Sequence, residues 1–123
     1  MPGDQYREIV IATREKYRKI GSIWCPPISA SVIFDHHGLR HLLANGRGRR
    51  SFSDLAQRLK LIDHAEEVLS SAATIAEYRS FFKGNAIVQY WSVEKVIEGK
   101  RLRCVIRSIG DGRKHFFSVM KVG

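Results

Sequence analysis

From Ala86 to Val122 apolar side chains recur at every second position, and two glycine-containing breaks, Glu98-Gly99 and Gly110-Asp111-Gly112, divide the run into three. A period of two belongs to a strand with one buried face, and short glycine-containing breaks between such runs are hairpin turns. Strands are therefore expected over about 86–97, 100–109 and 113–122. Such a meander must cover its apolar face, and the chain ahead of it reads as helical. Tyr6, Ile9, Val10, Thr13, Tyr17 and Ile20 form a stripe at helical spacing over residues 4–20, with Asp4 as N-cap and Gly21 as stop. The stretch Gly21 to Pro27, with two adjacent prolines, is expected to be extended and irregular. Val32-Ile33-Phe34 is a short strand candidate, and a helix is expected from about His37 to Asn45. Ser51 or Ser53 caps a longer helix whose apolar face holds Leu55, Leu59, Ile62, Ala65, Val68 and Leu69, and Gly84-Asn85 breaks the chain again. The expected fold class is α+β, with N-terminal helices packed on one face of a C-terminal antiparallel meander sheet. No repeat or composition shift divides the chain, so residues 1–123 read as one domain.

Turn length fixes which side chains share a face. A two-residue Glu98-Gly99 turn puts Ile97 opposite Lys100, Val93 opposite Cys104, Trp91 opposite Ile106 and Tyr90 opposite Arg107. One face then holds Trp91, Val93, Ile97, Leu102, Cys104 and Ile106, which is a core. The other holds Tyr90, Ser92, Glu94, Arg101, Arg103, Val105 and Arg107. Glu94 opposite Arg103 has the form of a cross-strand ion pair. The second turn has two readings. A two-residue Asp111-Gly112 turn sets Phe116 opposite Arg107, sends Phe117 and Val119 inward and leaves Ser118 beside the arginines. A three-residue Gly110-Asp111-Gly112 loop sets His115 opposite Arg107 instead. The shorter turn is the favoured one.

Charge narrows the partner class. Lys plus Arg number 21 against 12 for Asp plus Glu, a net +9, and 13 of the 21 are arginine. A small domain this basic attracts phosphate backbones and gains entropy from the counterions they release, and arginine is the bidentate phosphate ligand. Hydrophobic residues at 44% and charged residues at 27% argue against disorder and against a membrane protein. No apolar run approaches a membrane span or a signal-peptide core, so the cytoplasm is the expected compartment. Cys25 and Cys104 stand far apart with no CxxC, which excludes a zinc site of the usual spacing and reads as two reduced buried thiols.

Three histidines cluster in Asp35-His36-His37-Gly38-Leu39-Arg40-His41. His37 and His41, four apart, share a helix face, but no third ligand accompanies them, so no metal or other cofactor is expected. Acid–base work suits them better. Cleaving a phosphodiester through a ribose 2′-oxygen needs a base, an acid and cations for the phosphorane, all of which His and Arg supply. His64, mid-helix, reads as structural. Gly46-Arg47-Gly48-Arg49-Arg50 packs three arginines between glycines, followed by Arg58 and Lys60, a run suited to phosphate contact or to a solvated loop.

Cys25-Pro26-Pro27, Val32-Ile33-Phe34 and Gly38-Leu39-Arg40-His41-Leu42-Leu43 precede Tyr90-Trp91, Val105-Ile106-Arg107, Gly110-Asp111-Gly112 and His115-Phe116-Phe117-Ser118-Val119. In order and spacing these segments resemble the Barnase–EndoU–colicin–RelE-like (BECR) nuclease superfamily, in its phage and bacterial branch. The resemblance covers residues 24–122 and leaves residues 1–23 as a helical extension. It implies helices followed by an antiparallel sheet, and a metal-independent, toxin-like endoribonuclease. It also implies catalytic residues His41, Arg107 and Ser118 or His115, with RNA as substrate and a protein inhibitor of antitoxin or immunity type as a further partner. Arg47, Arg49 and Arg50 would hold the RNA backbone, Arg103 would assist Arg107, and Ser118 or Tyr90 would position the phosphate. The rival reading is a non-catalytic RNA-binding module, or a degenerate nuclease, using Tyr90 and Phe116 to stack single-stranded bases.

Overall fold

The structure, a computed structural model, describes residues 2–45, 48–49, 51–110 and 112–122. Its helices are α1 (Pro2–Ile20), α2 (His36–Leu43) and α3 (Phe52–Ser71). Strands β1 (Ser22–Cys25), β2 (Ala30–Ile33), β5 (Ile75–Lys83), β6 (Ala86–Ile97), β7 (Lys100–Ile109) and β8 (His115–Lys121) form a curled sheet in the order β1-β2-β8-β7-β6-β5. Two-residue strands β3 (Ala44–Asn45) and β4 (Gly48–Arg49) make a separate small hairpin. The fold is α+β, with N-terminal helices against a mostly antiparallel C-terminal sheet. Among the described residues no helix is long and apolar enough to cross a membrane.

The first hairpin has the register its turn dictates. Glu98 and Gly99 both take positive φ, 52° and 77°, as a type I′ turn needs, and Ile97↔Lys100, Val93↔Cys104, Trp91↔Ile106 and Tyr90↔Arg107 pair. Trp91, Val93, Cys104, Ile106, Phe116 and Val119 are buried in one core with Ile62, Ala65, Val68 and Leu69 of α3. Ser51 caps α3, its hydroxyl accepting from the Asp54 N–H at 3.2 Å.

Several sequence expectations are corrected. The segment before the prolines is not irregular: Ser22–Cys25 is strand β1, and Pro26–Ile28 is a 3₁₀ turn returning the chain to β2. Proline fits the first positions of a helical turn because it lacks only an N–H that would be unpaired there. The meander has four strands, since β5 pairs along β6 as far as the Gly84-Asn85 turn. Helix α2 ends at Leu43, where the chain turns into the β3–β4 hairpin.

Beneath α2 lies a buried aromatic trio. Phe34 and Phe116 stack at 4.5 Å, and the Tyr17 ring lies 5.4 and 5.9 Å from them. The Tyr17 hydroxyl donates to the Asp35 carbonyl at 2.7 Å. Burial, with the Asp35 charge second, pushes this phenol above its ordinary value of 10.0, and burial pushes the Cys104 thiol above 9.0. Above those values the unfolded chain releases protons that the folded chain retains, so stability is full at neutral pH and is lost as pH rises. Melting temperature should therefore fall above about pH 9. Tyr17→Phe should cost about 1 kcal/mol at neutral pH for the lost hydrogen bond and flatten the decline above pH 10. Parallel declines in melts of the two proteins between neutral and alkaline pH would refute this.

Candidate active site

The open face of the sheet carries a row of side chains from four adjacent strands. Arg79 on β5 pairs with Tyr90 on β6, Tyr90 with Arg107 on β7, and Arg107 with His115 on β8. The favoured two-residue second turn is thus overturned, and His115 stands opposite Arg107. Strand β7 ends at Ile109 and β8 begins at His115, and the Ser108 hydroxyl donates to the Gly112 carbonyl at 3.0 Å; Asp111, between them, lies outside the described residues.

A bulge then shifts the register of β8 beyond Phe116. Ile106 pairs with Phe116 but Val105 pairs with Ser118, so Phe117 is an extra residue in the strand. Phe116 and Val119 enter the core, whereas Phe117, expected inside, is half-buried on the open side. The bulge also lets His115 and Ser118, three apart, both register with open-face residues, which a regular strand forbids.

Phe117 is the centre of the site. The His41 ring of α2 stacks on it with centroids 4.2 Å apart and planes 17° apart. The Arg107 guanidinium carbon lies 4.7 Å from the same ring's centroid, and Tyr90 meets it edge-on at 5.6 Å. Beyond Tyr90 the row continues with Phe81, stacked at 6.0 Å, and with Arg79 at 5.8 Å. Histidine and arginine, far apart in sequence, therefore share one aromatic ring. Arg107 Nε is buried with no hydrogen-bond acceptor among the described residues. A buried donor left unpaired costs about 1–3 kcal/mol, a cost that a bound anion's oxygen removes.

His115 has a carboxylate behind it. Its Nδ1 lies in close contact with an Asp35 carboxylate oxygen. The contact exists because β2 and β8 pair in parallel at Ile33↔His115, with the Ile33 N–H donating to the Lys114 carbonyl at 2.9 Å, so Asp35 comes two residues later. The carboxylate stands on the Nδ1 side of the ring, which leaves Nε2 as the nitrogen on the other side.

Other sequence candidates lie elsewhere. Ser118 is buried and accepts from Arg58 of α3 at 3.4 Å, and the same guanidinium donates to the Val119 carbonyl at 2.9 Å. Arg58, read in sequence as part of a basic run, instead clamps α3 to β8. Arg103 donates to Glu94 at 2.7 Å and stands four residues from Arg107, about 13 Å at strand rise. It is a neutralised cross-strand partner, not a neighbour of Arg107. Arg47 and Arg50 lie outside the described residues, and Arg49 is described only as backbone in β4.

Phe117, Asp35, Arg79 and Phe81 carry no signal in the sequence that marks them for this site. Asp35 is legible there only as the residue before two histidines, and the shorter turn sends Phe117 to the wrong face. Among the described residues no three His, Cys, Asp or Glu side chains are grouped to hold a metal ion. Compared with protein families, curated proteins and solved structures, the chain finds no match.

Proposed function

We propose that the open sheet face is the active site of a metal-independent endoribonuclease acting by attack of a ribose 2′-oxygen on the adjacent phosphorus. The observation that carries this reading is the convergence of His41 and Arg107 on the Phe117 ring, with the Asp35-backed His115 as Arg107's cross-strand neighbour. Two histidines divide the proton transfers. One takes the 2′-hydroxyl proton as the new O–P bond forms, and the other protonates O5′ as the P–O5′ bond breaks. Arg107 neutralises the charge that grows on the phosphorane oxygens, and its unpaired Nε supplies a donor. Tyr90 lies against Phe117 where it can position the phosphate or the neighbouring base. Cytoplasmic RNA is the substrate this implies, and an inhibitor protein would act by covering this face.

Single-stranded RNA incubated with the full chain in EDTA should yield 2′,3′-cyclic phosphate and 5′-hydroxyl ends. Asp35→Asn should slow cleavage on the order of 10²-fold, because His115 loses the carboxylate charge beside its ring. A second reading, a binding module, is favoured by one feature: Tyr78, Phe81 and Phe82 on β5 are all exposed, Phe82 to 75%, beside Arg79. Aromatics interleaved with arginine bind single strands by stacking. RNA recovered bound and intact would establish that module in place of the enzyme.

A further inference from the structure

A second basic feature lies on the far side of α2. Helices α1 and α2 enclose an open groove of about 490 Å³ whose walls carry Arg14 and Arg18 from α1 and His36 and Arg40 from α2, over a floor that includes Leu39 and Leu43. No carboxylate is among the residues lining it. On α1 the two arginines are four apart, the spacing at which side chains are neighbours and like charges repel.

Four cations elsewhere in the molecule have carboxylate partners. Lys16 pairs with Asp63, Arg58 with Asp54, Arg79 with Glu77 and Arg103 with Glu94. Arg14, Arg18 and Arg40 have no ion pair among the described residues. Lys16 makes the contrast sharp, since it lies on the same helix and faces α3's acidic side. Three arginines from two helices, turned into one concavity without a carboxylate, create a site whose natural complement is an anion.

Arg40 and His41 are consecutive on α2. One lines the groove, and the other lies on Phe117. The helix is therefore the wall between groove and open sheet face, and an α-helix with side chains is about 10 Å across. A few nucleotides of extended single strand span that distance.

We propose that the α1–α2 groove binds phosphates of a single-stranded RNA whose neighbouring segment lies on the His41–Phe117–Arg107 face. The groove holds backbone, not bases, because arginine forks fit phosphate oxygens. This inference rests on RNA being the ligand of the open face, but not on that face being catalytic.

The test uses a fluorescein-labelled 12-nucleotide 2′-O-methyl RNA, which has no free 2′-hydroxyl and cannot be cleaved by the proposed route. Anisotropy titrations over a range of salt compare wild type, Arg14→Gln/Arg18→Gln, and a control of equal charge, Lys100→Gln/Arg101→Gln, at the β6–β7 turn. Each lost single-strand phosphate contact lowers the slope of log K against log salt by about 0.7. The groove variant should show a slope smaller by about 1–1.5, and the control should match wild type. An unchanged slope, an equal fall in the control, or no binding by wild type overturns the groove. Cleavage of unmodified RNA is scored separately. Binding with the expected slopes but no cleavage removes the nuclease reading and leaves the groove standing, whereas cleavage with unchanged slopes removes the groove alone.

Discussion

His41→Ala and Arg107→Ala should each lower the rate of RNA cleavage by about 10²–10⁴-fold while the protein stays folded. The first removes a proton-transfer group, and the second removes the charge placed to meet the phosphorane. Both side chains lie on the Phe117 ring at the surface side of the sheet, so neither truncation opens the core. Arg107→Ala loses a cation–π contact of about 1–2 kcal/mol and relieves the buried Nε, so its melting temperature should move only modestly. Arg107→Lys is the informative companion. It keeps the charge but not the planar fork, so it should restore little activity. EDTA should change none of these rates. If both alanine variants cleave at the wild-type rate, the His41–Arg107 site is not where the chemistry occurs.

Gly38→Ala should destabilise the protein by about 1–3 kcal/mol or more and should also impair cleavage, although Gly38 touches no substrate. A Cβ at this position in α2 would collide with the Phe116 carbonyl oxygen and with the Tyr17 hydroxyl. The first is backbone in the middle of the sheet, and the second is held on the Asp35 carbonyl, so neither can give way cheaply. The helix must lift from β8. His41, three residues further on, then leaves Phe117, and Asp35, just ahead of the helix, is pulled from His115. Chemical denaturation and the cleavage assay should report both losses together. A variant within about 0.5 kcal/mol of wild type would show that α2 has room to spare above β8.

What could be read in the sequence came from local rules. Strands β6 and β7 have one covered face, so their apolar residues alternate, and Glu98-Gly99 admits the positive φ that sets their register. The helical stripes of α1 and α3 and the Ser51 cap were legible for the same reason. Strand β5 was not, because every one of its residues is exposed and its Ile75, Tyr78, Phe81 and Phe82 fall on both faces. Without a covered face a strand has no period to show.

Strand period, helical stripes and charge were enough to specify an α+β chain rich in cations, and one short turn set Tyr90 against Arg107. Only the tertiary structure decided what stands beside that pair. The longer second turn moved His115 opposite Arg107, and the bulge at Phe117 turned an expected core residue outward. The parallel pairing of β2 with β8 brought Asp35 to His115, and the close seat of Gly38 set His41 on Phe117. Period and turn chemistry act within a few residues. A bulge, a parallel edge and a helix docking angle depend on how distant segments pack, and no local pattern encodes them.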